Sequence, residues 1–281
     1  MDQHILSSTG VKIPKLFYGT AWKEHRTAEL VERAIKKGFR AIDTACQPKH
    51  YKEPLVGRGI QRAYQLGLKR EDLFIQTKFT SIRGQDPNDI PYDPALPLKD
   101  QIHNSFEVSK SNLNTDYLDS LVLHSPLETW EDTLVAWQTF EEIYELGEVK
   151  LIGLSNCYDP ELFASLYHEA KIKPAILQNR FYKETNHDKE LRAFCRENDI
   201  FYQCFWTLKA NLHILESEVV VELASRLDKT SAQIFYRCLY QQGINPIIGT
   251  TSANHMDQDL EILNFSISDE DCNRIKEMGP Y

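Results

Sequence analysis

Three ionisable side chains fall at the ends of strand-like runs: Asp43 after Phe39-Arg-Ala-Ile, Lys78 after Leu73-Phe-Ile-Gln-Thr, and His124 after Ser120-Leu-Val-Leu. A strand interior is an expensive place for a charge, whereas the carboxyl ends of strands in a parallel α/β barrel converge on one mouth where chemistry collects. Singly, each residue has a plain reading: the aspartate caps a loop, the lysine is solvated, the histidine packs. Three in successive strands make a shared site the better reading. Such a set would support carbonyl reduction, which needs a proton at the carbonyl oxygen while hydride reaches the carbon. A lysine beside a phenol favours the phenolate and lowers its pKa from about 10, and an aspartate would hold that lysine charged and in place. A histidine would orient and polarise the oxygen. The loop after Asp43 offers one phenol, Tyr51, followed by Lys52 and Glu53.

The elements needed to position these groups are legible as alternating patterns. Residues 5–14 suggest a hairpin turning at Thr9-Gly10. Strand-like runs are then expected at 16–20, 39–43, 73–78, 120–124, 149–154, 175–178, 200–205 and 246–248. Amphipathic stretches separate them. One, from Thr27 to Lys37, puts Leu30, Val31, Ala34 and Ile35 on one face and stops at Gly38; another is capped by Thr129 and Asp132; a third opens at Asp159-Pro160. Two helix patterns near 216–227 and 231–242 follow the seventh barrel strand, and a last capped helix starts at Ser268. The segment from Thr80 to Leu98, rich in Pro, Asp and Gly, predicts a long surface loop over the mouth. Together these predict an α/β fold: a (β/α)8 TIM barrel with an N-terminal β-hairpin and extra helices after strand seven and at the C-terminus, as a single domain over 1–281. A doubly wound sheet competes, but no Gly-x-Gly-x-x-Gly follows the first strand; Gly57-Arg-Gly59 falls inside a helix pattern.

Composition narrows the function classes. The 281 residues are 42% hydrophobic and 26% charged, with a formal charge of −9, which argues against broad nucleic-acid binding. Six cysteines lack metal-binding spacing and suggest reduced core thiols, so no metal is expected. Neither a signal peptide nor a membrane span is evident, and a cytoplasmic protein, monomeric or weakly oligomeric, acting on a small-molecule carbonyl substrate is expected.

An ordered set of motifs, running from the hairpin almost to the C-terminus, resembles the aldo-keto reductase family. It comprises Gly19-Thr-Ala-Trp22, Phe39-Arg-Ala-Ile-Asp-Thr-Ala45, Lys69-Arg-Glu-Asp-Leu-Phe-Ile-Gln-Thr-Lys78, Tyr117-Leu-Asp-Ser-Leu-Val-Leu-His124, Gly147-Glu-Val-Lys-Leu-Ile-Gly-Leu-Ser-Asn156 and Gln178-Asn179. The resemblance implies a nicotinamide cofactor stretched across the barrel mouth and a tetrad of Asp43, Tyr51, Lys78 and His124. The family places its tyrosine five residues after the aspartate, where this chain has Pro48; Tyr51 comes eight after, which implies a three-residue insertion. Glu53-Pro-Leu-Val-Gly57 then resumes the family rhythm, which assigns the role to Tyr51, with His50 as a less suitable donor.

The same resemblance assigns the nicotinamide carboxamide to Ser155, Asn156 and Gln178 and a stacking surface to Phe205 or Trp206, with Thr20 and Leu208 nearby. It places the adenosine half on Gly249, Thr250, Thr251, Ser252, His255, Gln258 and Asp259. Trp22 would line the mouth and touch substrate, with barrel packing as its other role. NADP(H)-using relatives often carry Lys-Ser and then an arginine after the last strand, but residues 249–254 hold no basic side chain. NADP(H) is therefore favoured on family grounds, with NAD(H) as the alternative. A low-turnover, nicotinamide-binding regulatory protein of the same fold is the competing function, and the lengthened loop is its one argument.

Overall fold

The computed structural model describes residues 4–279. A two-stranded hairpin, β1 (His4–Leu6) and β2 (Lys12–Pro14), comes first, with Ile5 opposite Ile13 and Gly10 at φ 80° closing the turn. Eight parallel strands then close on themselves: β3 (Phe17–Gly19), β4 (Ala41–Asp43), β5 (Phe74–Phe79), β6 (Leu118–Leu123), β7 (Val149–Ser155), β8 (Ile176–Arg180), β9 (Phe201–Phe205) and β10 (Asn245–Ile248), with β10 returning to pair with β3. The barrel and its hairpin are those expected from the sequence.

Side chains alternate across each strand, so one set faces the helices and the other fills the barrel. Ile42, Ile75, Leu121, Leu123, Ile152, Leu154, Leu177, Tyr202 and Cys204 belong to the outer core against the helices. The inner set begins apolar, with Phe17, Ala41, Phe74, Leu151, Ile176, Phe201 and Ile247 packed above the hairpin's Ile13. Two residues further along the same strands it turns polar, with Asp43, Gln76, Gln178 and Gln203. Lys78 follows one layer higher. Period two therefore carries each strand from an apolar floor to a polar mouth.

The helices are built from the expected stripes. Helix α1 (Thr27–Lys37) buries Leu30, Val31, Ala34 and Ile35 and ends at Gly38, φ 124°. Helix α2 (Glu53–Tyr64) contains Gly57 and Gly59, where a side chain would meet the backbone of Asn112 and of Ala28 respectively. Those glycines let α2 lie between α1 and α3 (Leu98–Leu113). Thr129 caps α4 (Trp130–Glu145), and Asp159 caps α5 (Pro160–Glu169) with proline at its first position. Between β8 and β9 lies α6 (Lys189–Glu197), which buries Leu191 and Cys195 and whose short, highly charged sequence carries only a narrow apolar stripe. Two short helices, α7 (Thr207–Ala210) and α8 (Leu212–Leu215), precede α9 (Glu218–Leu227) and α10 (Ser231–Gln241), and α11 (Ala253–Glu261) and α12 (Asp269–Lys276) end the chain. All six cysteines are buried free thiols. Among the described residues, no helix is long and apolar enough to cross a membrane.

Candidate active site

Asp43, the last residue of β4, faces inward beside the end of β5. Lys78 Nζ donates to both of its oxygens, at 2.7 and 2.8 Å, and to Thr44 O at 2.9 Å. Both side chains are sealed from solvent, and all three ammonium protons are thereby directed. Asp43 Oδ1 also accepts from Gln76 Nε2 at 2.7 Å and Gln178 Nε2 at 3.0 Å, and both amides converge on Gln203 Oε1 at 2.9 Å. Burial pushes the Lys78 pKa down, and the Asp43 charge opposes that shift. The layer is a cross-braced anchor for one cation.

The loop between Asp43 and Tyr51 folds back rather than bulging outward. Gln47 O accepts from both His50 N and Tyr51 N, making a tight turn, while Gln47 Nε2 donates to Gly84 O and Gln85 Nε2 to Cys46 O. Lys52 Nζ closes the turn on Pro48 O. These bonds staple the turn to the loop after β5 and bring Tyr51 over Lys78, whose ammonium lies 5.3 Å from the ring centroid. The Tyr51 ring meets that of His124 edge-on at 6.0 Å. So Asp43, Tyr51, Lys78 and His124 form one cluster across the eight-residue step from Asp43 to Tyr51.

The electrostatics differ from the expectation for Tyr51. The phenol pKa is raised, first by burial and then by the Asp43 carboxylate. Lys78 does not lower it as the sequence reading anticipated, because its charge is already paired with Asp43. Tyr51 is a neutral phenol with its proton in place. His124 is pushed down to about 3, by burial first, then by the Lys78 charge and His50, so its ring is neutral. Its Nδ1 lies 2.5 Å from Thr80 Oγ1, and Asn156 Nδ2 donates to its carbonyl at 2.8 Å. At the rim Trp22 is 66% exposed and stacks on His50 at 4.0 Å, which rules out a barrel-packing role for it.

A family model described as the aldo/keto reductase family matches residues 15–280. The glyoxal reductase of Bacillus subtilis (strain 168) is 31% identical over 269 residues, covering 95% of this chain and 89% of that protein. The NADPH-dependent codeinone reductase 1-4 of Papaver somniferum is 29% identical, covering 98% and 88%. Among solved structures, a Bombyx mori aldo-keto reductase in complex with NADP superposes with a TM-score of 0.82 at 25% identity, covering 98% of this chain and 92% of that one.

The chain belongs to the aldo/keto reductase family.

The reductase's other expected site residues lie in or after the carboxyl-terminal halves of β3, β7, β8, β9 and β10, in varied states. Ser155 Oγ donates to Gln178 O at 2.6 Å, and Asn156, at φ 50°, accepts at Oδ1 from Tyr158 OH. Gln178 donates twice into the floor, and its Oε1 accepts from no described residue. Thr20 is buried, and its hydroxyl donates to Asp43 O. Phe205 is half-buried, Trp206 is half-exposed at φ 59°, and Leu208 packs on the core. Beyond β10, Gly249 and Thr251 are exposed and Thr250 half-buried, and Ser252 caps α11 by accepting from His255 N. His255 is exposed with Nδ1 3.5 Å from Thr250 Oγ1; Gln258 is half-buried and Asp259 buried.

Residues outside the expected set also matter. Lys23 reaches across from the β3 loop to donate to Gly249 O, bringing a positive charge to a segment that has none of its own. Burial first, then Lys209 and Arg26, bring its pKa down to about 8. Gln76 and Gln203 complete the floor, and Thr80 holds His124. A polar residue two positions before a mouth residue on an apolar strand is the signal that would have found both glutamines. A separate cleft of about 460 Å³, lined among others by Leu6, Arg192, Arg196 and Asn245, lies under the hairpin at the opposite end of the barrel from this cluster.

Proposed function

We propose that the protein reduces aldehydes or ketones to alcohols with NADP(H), Tyr51 giving the proton to the carbonyl oxygen. The observation that carries this reading is the return of the Tyr51 ring to Lys78 and His124 through the stapled turn at Gln47. A nicotinamide fits the mouth on one independent ground: Gln178 Oε1 is an uncommitted acceptor, fixed in direction by the two bonds its amide nitrogen makes. Phe205 and Trp206 offer flat surfaces beside it, and Thr250, Thr251, Ser252 and the N-terminus of α11 offer donors to phosphate, with Lys23 adjacent. When bound, the cofactor supplies hydride to the carbonyl carbon.

The chain's own groups then have distinct tasks. Neutral Tyr51 donates its proton to the oxygen as negative charge develops there. Lys78, held charged by Asp43, lies close enough to stabilise the phenolate left behind. Neutral His124 directs an N–H at the same oxygen and fixes which carbonyl lone pair faces the phenol. The NADP(H) preference follows the named cofactors of the poppy and silkworm relatives. Tyr51→Phe tests the reading. Turnover of aromatic and dicarbonyl aldehydes, followed at the NADPH absorbance, should fall about 10²–10⁴-fold. NADPH binding, followed by tryptophan quenching, should stay within about twofold, since a factor of two is under 0.5 kcal/mol. Undiminished turnover in that variant removes Tyr51 from the mechanism.

A further inference from the structure

Arg180 ends β8 two residues beyond Gln178, so it projects from the same face of the strand, one layer above the amide floor. Gln178 is fixed inward by its bonds to Asp43 and Gln203, which places Arg180 at the mouth beside Phe205, its register partner on β9. Its guanidinium lies 4.4 Å over the Trp206 ring and 5.5 Å from that of Tyr182. Every interaction of this side chain is a ring face. It makes no ion pair and donates no hydrogen bond to any described residue, and its Nε is buried with no acceptor. Lys78 and Lys23, two other cations near the mouth, are by contrast directed at Asp43 and Gly249 O. The two Nη nitrogens of Arg180 also make no hydrogen bond to a described residue and, unlike Nε, are not sealed from solvent, so the terminal N–H pair is the part of this charged group that an incoming anion reaches.

The residue is also rigidly tied to the reacting end of the site. Arg180 N donates to Tyr158 OH, Tyr158 OH donates to Asn156 Oδ1, and Asn156 Nδ2 donates to His124 O, with distances of 3.1, 3.1 and 2.8 Å. Two aromatic rings lie against the guanidinium, and its terminal Nη edge is left to a ligand. That edge presents parallel N–H donors which match a carboxylate in a bidentate fork.

We propose that Arg180 is a substrate-recognition residue that binds a carboxylate, so that oxo acids are among the carbonyl compounds this reductase takes. The inference rests on the carbonyl-reduction reading above. The test compares 2-, 3- and 4-carboxybenzaldehyde with their methyl esters in the wild type, Arg180→Gln and Arg180→Lys. For at least one position the wild type should favour the acid over the ester by about tenfold in kcat/KM, the worth of one charge-assisted hydrogen bond. In Arg180→Gln that ratio should fall to about one while ester turnover and NADPH affinity hold, and Arg180→Lys should restore part of it, since the charge returns without the fork. An unchanged ratio in Arg180→Gln overturns the proposal. So does an equal loss for acid and ester, which makes Arg180 a prop for Trp206, or a loss of NADPH affinity alone, which assigns the guanidinium to a cofactor phosphate. Ester turnover by the wild type reports separately on the carbonyl-reduction reading. Should that fail, binding of the carboxybenzaldehydes against their methyl esters, read from quenching of the total tryptophan emission in wild type and Arg180→Gln, still decides the role of the arginine.

Discussion

At the scale of single residues the site is governed by which protons are already committed. Lys78 has none to give Tyr51, because Asp43 and Thr44 take all three. Its influence on the phenol is therefore electrostatic and is felt only when the phenol loses its proton. His124 is the opposite case: a neutral ring whose usefulness depends on which nitrogen holds the proton. The hydroxyl of Thr80, 2.5 Å from Nδ1, can donate there and so leave the proton on Nε2. Thr80 is itself held through its carbonyl, which accepts from Tyr92 OH and Gln85 Nε2. Thr80→Val should release the tautomer and lower kcat about tenfold, near 1.4 kcal/mol, with KM for NADPH unchanged. Thr80→Ser should keep the wild-type rate. Steady-state kinetics on the pair, with ¹⁵N shifts of the His124 ring, separate a tautomer effect from loosened packing, which would affect both variants. Asp43, Lys78 and His124 were legible in the sequence because a charge at a strand end calls for an explanation. Thr80 was not, since a threonine after a strand has too many ordinary uses.

At the scale of elements, the positioning of Tyr51 depends on α2, whose start follows it directly. Glu53, at the first turn of that helix, is buried and accepts from Thr77, Ser109 and Asn112, so one carboxylate ties α2 to β5 and to α3. Gly57 permits the approach: a Cβ there would lie 2.0 Å from Asn112 O, a backbone atom that cannot swing aside. Gly57→Ala should therefore cost about 2–3 kcal/mol despite alanine's better helix propensity, because overpacking outweighs the gain in propensity of about 1 kcal/mol. A urea midpoint at or above the wild type would show that α2 and α3 can separate at no cost. Reductase activity should fall with it, as the loop carrying Tyr51 is displaced. The helix itself was readable from its apolar stripe, and the glycine pair from being inside it. The partner of each glycine was not readable, because inter-helix distance is set by the whole barrel. The turn before Tyr51 is similar: its length was plain, but its stapling by Gln47 to Gly84 joins residues 37 apart in sequence.

At the scale of the whole molecule, the barrel was legible because each strand repeats one rule, apolar outward and graded inward, and eight repetitions suppress the error of any one. Its response to pH depends instead on a few buried groups with opposite signs. His124 and His187 are held below their ordinary range by burial, so they favour the folded state above pH 6.5 and withdraw that support as pH falls. Glu53, Asp188 and Asp259 are raised, again by burial first, so they burden the folded state at high pH and cease to as it falls. Asp259 gives the cleanest test, since burial alone lifts it from 3.8 to about 7. Above pH 7 the folded chain must carry a desolvated carboxylate that the unfolded chain solvates freely, and that penalty fades as pH drops through 7 towards 4. Asp259→Asn, of nearly the same shape, should therefore be more stable than wild type by on the order of 3 kcal/mol at pH 8, an advantage that should roughly halve by pH 5. Urea denaturation of both proteins at the two pH values measures it. An advantage that does not change between them would mean that Asp259 ionises as it does in the unfolded chain.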